Sequence, residues 1–104
     1  MNRIGCSCLA NALLCTVVLV QRPAWGQDQT QSLAANCTGC HGSNGVSAGA
    51  IPTLAGLEKA YIVTAMQEFK AGTRQATVMH QHAKGYSDEQ IEQLAEFFAS
   101  QKLD

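Results

Sequence analysis

Two cysteines and a histidine stand close together in the stretch CTGCH, at Cys37, Cys40 and His41. Positions i, i+3 and i+4 share one face of a helix, so the two thiols and the imidazole converge on a helical turn. The C-x-x-C-H spacing is the attachment signature of c-type haem, in which two thiols bond to the vinyl groups of one porphyrin. A neutral imidazole is a good iron ligand, and it would lie under the iron. The motif therefore predicts one covalently attached haem c.

Two other kinds of site use the same residue types. A thioredoxin-like redox disulfide between Cys37 and Cys40 requires a preceding strand in a βαβ unit, and no strand pattern precedes them. A structural zinc site requires four protein ligands, which Cys37, Cys40, His80 and His82 together would supply. We favour haem over both alternatives.

A haem iron has a second axial position, which is filled by a protein side chain or left open for a small molecule. The candidates that follow His41 are Met66, Met79, His80 and His82. Met66 lies on an apolar helical stripe, where a methionine more often fills a core. Met79 lies in an irregular segment, and loops often carry ligands, so we predict it as the second ligand. We interpret His80 and His82 as solvated loop residues, although imidazole also binds ferric iron.

The first two helices can be traced from apolar spacing. A short first helix is predicted at the CTGCH motif, because Leu33 and both cysteines share one face. Residues 42–56, rich in glycine, serine and alanine, form a loop. The next helix covers residues 57–71, and Gly72 ends it. This helix carries an apolar stripe at Leu57, Tyr61, Ala65, Met66 and Phe69.

The remainder of the chain is predicted to end in a helix. Residues 73–86 show no period and are predicted to be irregular. Ser87 and Gln90 have the spacing of a capping box, which closes the first turn of a helix. An apolar face follows at Ile91, Leu94, Ala95 and Phe98. Because no alternating strand pattern occurs, the predicted fold class is all-α.

The N-terminal segment is predicted to be an export signal. Residues 1–26 combine a charged start at Arg3, an apolar run to Val20 and small residues before a cleavage point after Gly26. A membrane anchor is the alternative, but a spanning helix needs about 20 apolar residues and this run is shorter. The predicted mature domain is residues 27–104, in a periplasmic protein with no stable membrane insertion after cleavage.

Cleavage changes the cysteine count and the charge. The full chain has five cysteines and a net charge of −1, and Cys6, Cys8 and Cys15 lie in the predicted signal. Residues 27–104 keep two cysteines, with five basic against eight acidic residues, a net charge of −3. With 46% hydrophobic residues the chain is not a disordered tail. Nucleic acid is excluded as a partner because Lys and Arg are few and do not cluster.

Several stretches of the chain together resemble class I c-type cytochromes. They are CTGCH, the loop end IPTLAG, the helix end FKAG, the segment TVM and the closing KGYSDEQIEQLAEFFA. From Cys37 to Ala99 the chain resembles the monohaem cytochrome subunit of flavocytochrome c sulfide dehydrogenase. The resemblance implies a class I cytochrome c fold, with three to four helices wrapped around one haem and the first and last helices crossing.

The resemblance also implies which residues bind the cofactor. Cys37 and Cys40 are the thioether attachments, His41 is the proximal iron ligand and Met79 is the distal one.

Two further cofactor-binding residues follow from the same resemblance. The Pro52 carbonyl accepts a hydrogen bond from the His41 ring, as partners of metal-bound histidines commonly do to fix their orientation. Arg74 pairs with a haem propionate, and the alternative is an ordinary solvated surface charge.

The expected function is electron transfer rather than enzymatic catalysis. A thioether ligand raises the reduction potential of haem iron, and with both axial positions filled a substrate cannot reach the metal. By resemblance, the protein accepts single electrons from the flavoprotein subunit of an FAD-containing sulfide dehydrogenase, or from other redox proteins. One alternative is a free-standing cytochrome that shuttles electrons between respiratory complexes. Another is a haem-based ligand binder or peroxidase in which Met79 does not bind iron.

Overall fold

The computed structural model describes residues 25–103. The predicted signal segment up to residue 24, with its three cysteines, lies outside the described residues. Within residues 25–103 the chain forms helices and no strand. The elements are α1 (Trp25–His41), a 3₁₀ turn (Ser43–Gly45), α2 (Lys59–Ala71), α3 (Met79–Ala83) and α4 (Asp88–Ala99). Over this range, no helix combines the length and the apolar character that crossing a membrane requires.

Helix α1 is longer than the sequence pattern predicts. It has 17 residues, begins at Trp25 and includes the polar stretch before Cys37 as well as the CTGCH motif. This polar stretch has few apolar residues at helical spacing. Among its residues whose exposure is described, Ala34 is the only one that is fully buried. Periodicity therefore located the C-terminal part of this helix and missed its start.

Helix α2 confirms the prediction for residues 57–71 but begins two residues later, at Lys59. It ends at Gly72, whose left-handed φ of 76° lets the chain turn away from the helix. Its predicted apolar stripe contributes to the core only in part: Leu57 and Met66 pack against the core cluster, whereas the buried residue of this helix is Ile62 and Tyr61 is 51% exposed.

Helix α3 corrects the prediction that residues 73–86 are irregular. It is a helix of five residues that starts at Met79, and Val78 before it makes no side-chain cap. A helix this short shows no measurable apolar period, so the sequence pattern gave no signal for it.

Helix α4 forms as predicted. The Gln90 backbone N–H donates to the Ser87 hydroxyl at 3.1 Å, and the Ser87 N–H donates to the Gln90 side chain at 3.0 Å, which completes the capping box. The four residues of the predicted apolar face are all buried. Three of them, Leu94, Ala95 and Phe98, form the core cluster with Ala34 of α1 and Ile62 of α2.

The helices pack around α4 and α2. Helix α4 contacts both α1 and α2, and α3 packs against α2. The Lys70 ammonium joins α2 to the start of α4, because it donates to the Tyr86 carbonyl at 2.7 Å and to Asp88 at 3.1 Å. The core cluster is small, so the fold leaves space between α2, α4 and the loop that precedes α2.

Candidate functional site

The end of α1 and the loop that follows it fix the orientation of His41. The ring Nδ1 lies 2.6 Å from the Pro52 carbonyl oxygen. A carbonyl can only accept a hydrogen bond, so Nδ1 is the donor and Nε2 keeps its lone pair. A neutral imidazole oriented by a carbonyl in this way is the usual form of a metal-bound histidine.

The loop that carries Pro52 is held by backbone hydrogen bonds. The N–H groups of Leu54 and Ala55 both donate to the Gly45 carbonyl, at 2.8 and 3.1 Å. The Gly56 N–H donates to the Phe98 carbonyl at the end of α4, at 3.0 Å. These bonds tie both ends of the loop to the folded body, so the position of the Pro52 carbonyl is set by the fold.

A cavity of about 570 Å³ opens between α2, α4 and this loop. His41 and Met79 both line it, and most of the remaining wall is apolar. The five residues of the α2 stripe that the sequence pattern predicted all line it: Leu57, Tyr61, Ala65, Met66 and Phe69. That stripe is therefore the wall of a cavity, whose volume lies in the range of pockets that bury a ligand or cofactor.

The two predicted axial side chains thus border the same space. Met79 is half-buried, and as the first residue of α3 it lies at the helix start that faces α2. His80 is half-buried and His82 is exposed, and neither lines the cavity. Met66 is half-buried, packs against the core cluster and also lines the cavity. Met66 is therefore both core and wall, where the sequence predicted core alone.

The two thiols precede His41 on the same helix. Cys37 is half-buried against the core cluster, and burial raises the pKa of its thiol, which stays protonated near neutral pH. Cys40 is exposed, and the two cysteines form no disulfide with each other. Neither cysteine is part of the cavity wall. The sequence placed Leu33, Cys37 and Cys40 on one face, and of these Cys40 does not pack against the core cluster.

The alternative sites lack their structural settings. Among residues 25–103, no three His, Cys, Asp or Glu side chains come close enough together to hold a metal ion. The four ligands of a zinc site are therefore not assembled. A thioredoxin-like site is also unsupported, because Cys37 lies inside helix α1 and no strand occurs between Trp25 and Cys37.

Arg74 lines the cavity, and its guanidinium is hydrogen-bonded to two side chains of α2. Its Nη1 donates to the Glu68 carboxylate at 2.9 Å, and its Nη2 donates to the Tyr61 hydroxyl at 3.0 Å. The guanidinium carbon also lies 5.6 Å from the Tyr61 ring centroid and 5.4 Å from that of Phe69. The hydrogen bond to Glu68 is the main cause that raises the pKa of Arg74 further above its ordinary value.

Sequence reasoning missed these partners of Arg74. Tyr61 and Glu68 are separated by about two turns of α2, so they lie on the same side of the helix. That spacing was a usable signal for a shared partner. It did not reveal which partner, because Arg74 lies outside the helix.

A comparison with protein families matches the cytochrome c model over residues 28–102. The chain belongs to the cytochrome c family. The predicted all-α class I cytochrome c fold and the predicted haem c are thereby confirmed. The residues of the site fit that cofactor, because an oriented imidazole and a thioether line one apolar cavity of suitable volume, and two thiols precede the imidazole.

Individual relatives agree with this family. The chain is 43% identical to the cytochrome subunit of sulfide dehydrogenase from Chlorobaculum tepidum, over 71% of this chain and 67% of that protein. It is 38% identical to cytochrome c4 from Pseudomonas aeruginosa, over 70% of this chain and 37% of that protein. A solved cytochrome c4 structure from Acidithiobacillus ferrooxidans has a TM-score of 0.65 at 33% identity, covering 72% of this chain and 49% of that one. The chain thus spans less than half of the two cytochromes c4.

Proposed function

We propose that this protein is a monohaem electron carrier that exchanges single electrons with redox partner proteins. The observation that carries the proposal is the shared cavity, which is bordered by an imidazole and by a thioether. When bound there, haem c supplies an iron that takes up and releases one electron. If His41 and Met79 both held the iron, no substrate would reach it, and the protein would act as an electron carrier rather than as an enzyme.

Each predicted site residue has a role in this proposal. His41 would bind the iron through Nε2, while the Pro52 carbonyl holds the ring through Nδ1. Met79 would be the second protein ligand of the iron, and its thioether would favour ferrous iron and so raise the reduction potential. Cys37 and Cys40 attach the cofactor through thioether bonds.

Arg74 is proposed to act at the edge of the same cavity. A guanidinium carries more N–H donors than its bonds to Glu68 and Tyr61 use. The remaining N–H groups are available for a haem propionate. Its charge also opposes the negative charge of such a group, because the guanidinium is protonated throughout the physiological pH range.

The apolar wall supports electron transfer in a second way. Apolar side chains border the cavity, among them Leu57 just before α2, Met66 of α2 and Phe98 of α4, and with haem bound they would shield it from water. A rigid, dry environment keeps the ligand geometry similar in both oxidation states. The chain's contribution is therefore to bind the haem, to orient the side chains that hold it and to exclude solvent from it.

The proposed partner is the flavoprotein of an FAD-containing sulfide dehydrogenase, after cleavage of residues 1–26 and export to the periplasm. The similarity to a sulfide dehydrogenase cytochrome subunit supports this assignment. The second candidate is a free-standing carrier between respiratory complexes, and it is supported by similarity to cytochrome c4, a relative whose name mentions no dehydrogenase. Purification of the native protein distinguishes them: a flavin-containing protein that co-elutes supports the first, and a lone monomer supports the second.

Substitution at the two cavity methionines tests the axial assignment. Ferric haem with a methionine ligand has a characteristic far-red absorption band. Met79→Leu should abolish this band, whereas Met66→Leu, at a methionine that lines the same cavity, should retain it. Both changes nearly conserve volume, so neither should disturb packing strongly. A band that survives Met79→Leu, or that disappears in Met66→Leu, contradicts the assignment.

A further inference from the structure

The segment that delivers Met79 to the cavity begins by folding back onto the end of α2. The Thr73 N–H donates to the Glu68 carbonyl at 3.0 Å, and the Arg74 N–H approaches the same oxygen at 3.4 Å. The Thr73 hydroxyl also donates to this carbonyl, at 3.3 Å. The Glu68 carbonyl oxygen of α2 therefore accepts hydrogen bonds from the first two residues after Gly72.

The Arg74 side chain extends this attachment along α2. It reaches the Glu68 carboxylate with one nitrogen and the Tyr61 hydroxyl with another. Tyr61 and Glu68 are about 10 Å apart along the helix axis, at 1.5 Å per residue. The guanidinium also lies near the Tyr61 and Phe69 rings, at distances typical of cation–π contacts. All of these partners belong to α2, so one side chain fastens the segment to two turns of that helix.

The rest of the segment has little else to hold it before Met79. Val78 is 54% exposed and provides no side-chain cap for α3. Helix α3 itself has five residues, and so short a helix is marginal without tertiary contacts. Its anchor, the fully buried Ala83, lies at the far end from Met79. Helix α3 also packs against α2, but its buried residue is remote from Met79, so the attachment at Arg74 holds the part of the chain that leads into Met79.

We propose that Arg74 is a positioning residue for Met79: through Glu68 and Tyr61 it clamps residues 73–78 to α2 and so holds the thioether at the cavity. The proposal rests on the proposed function, which assigns Met79 as an iron ligand. It gives Arg74 a role within the chain that is separate from any bond to a propionate. It also gives Glu68, which does not line the cavity, a part in the ligation of the cofactor.

A double-mutant cycle in the ferric holoprotein tests the clamp. The variants are Arg74→Gln, Glu68→Gln and the combination, and the readout is the urea concentration at which the far-red band is lost, compared with loss of helical circular dichroism. Each single variant should raise the fraction of folded protein without the band about fivefold, and the double variant should add little to Arg74→Gln, because that change already removes the partner of Glu68. Lys59→Gln is the matched control, since it breaks an exposed ion pair to Glu92 of 3.2 Å. It should leave the band's urea dependence unchanged relative to unfolding.

Glu68→Gln separates the clamp from a propionate role. If Arg74 acts only on a propionate, Glu68→Gln leaves the band unaltered, and the proposal is overturned. Additive effects in the double variant overturn it as well. Amide hydrogen exchange of residues 73–79 gives a readout that does not depend on the ligand, and faster exchange with an unchanged band also contradicts the proposal. If the far-red band survives Met79→Leu, the proposed function itself is refuted. That result is distinct from all of the outcomes above.

Discussion

Replacing Gly45 with alanine should destabilise the protein through two separate effects. Gly45 is buried and has a φ of +79°, where an L side chain is strained. A Cβ at this position would lie 2.7 Å from Cδ1 of Phe98 and 3.1 Å from the Ala55 backbone nitrogen. The ring cannot move away easily, because Phe98 is 1% exposed and packs edge-to-face on Phe97.

The two effects have different sizes. The left-handed conformation costs about 1–2 kcal/mol for alanine, of which about 0.4–1 kcal/mol is offset by the lower entropy of the unfolded chain. Overpacking a filled core costs about 1–3 kcal/mol more. We expect Gly45→Ala to lower the free energy of unfolding by about 3 kcal/mol, within a range of about 1–4.6 kcal/mol, which is a large part of the 5–15 kcal/mol typical of a domain.

Gly72→Ala is the matched control for this prediction. Gly72 has a φ of +76°, yet a Cβ there would meet nothing within 4 Å. Its substitution should therefore show the conformational cost alone, about 1 kcal/mol. Urea unfolding of both holoproteins, followed by circular dichroism, measures the difference. Equal losses for the two variants would refute the reasoning, because they would mean that Phe98 and the loop yield without cost.

Three further predictions concern the helix start, the pH dependence and the cofactor. Ser87→Ala should lower the free energy of unfolding by about 1 kcal/mol, because it removes the cap of α4, and a urea midpoint unchanged from the wild type contradicts this. The pKa of Asp88 is lowered in the folded state, mainly by the hydrogen bond from Lys70. The ionised Asp88 therefore stabilises the fold above the unfolded pKa of about 3.9, and this stabilisation is lost as pH falls through the lower folded value. Asp88→Asn should therefore make stability less dependent on pH below about pH 4, as measured by urea unfolding at several acidic pH values. The variant Cys37→Ala, Cys40→Ala should be largely unfolded by circular dichroism, because the cofactor that fills the cavity is no longer attached, and a compact helical apo-protein is the result that contradicts this.

Features encoded by neighbouring residues were predictable from the sequence. The capping box of α4 depends on Ser87 and on a glutamine three residues later, so its hydrogen bonds form wherever that helix starts. The apolar face of α4 was likewise predictable, because spacing along one helix determines which residues share a side. The CTGCH motif belongs to the same class, since its chemistry depends on one helical turn.

Features that depend on packing between elements were less predictable. The stripe on α2 was correctly located, but spacing does not tell whether a stripe faces protein or a cavity. Helix α3 gave no signal because five residues are too few for a period. The start of α1 was missed because its polar residues mark no apolar face.

The sequence by itself determined the chemistry of this protein. The types and spacing of Cys37, Cys40 and His41 predict haem attachment at these residues, and the residues that match the family suggested Met79 as a partner. Only the tertiary structure decided what surrounds them. The Pro52 carbonyl reaches His41 because a loop is tied to Gly45 and α4. The partners of Arg74 were decided in the same way. Local spacing determines which residues share a helix face, but contacts between distant parts of the chain determine which element packs on that face.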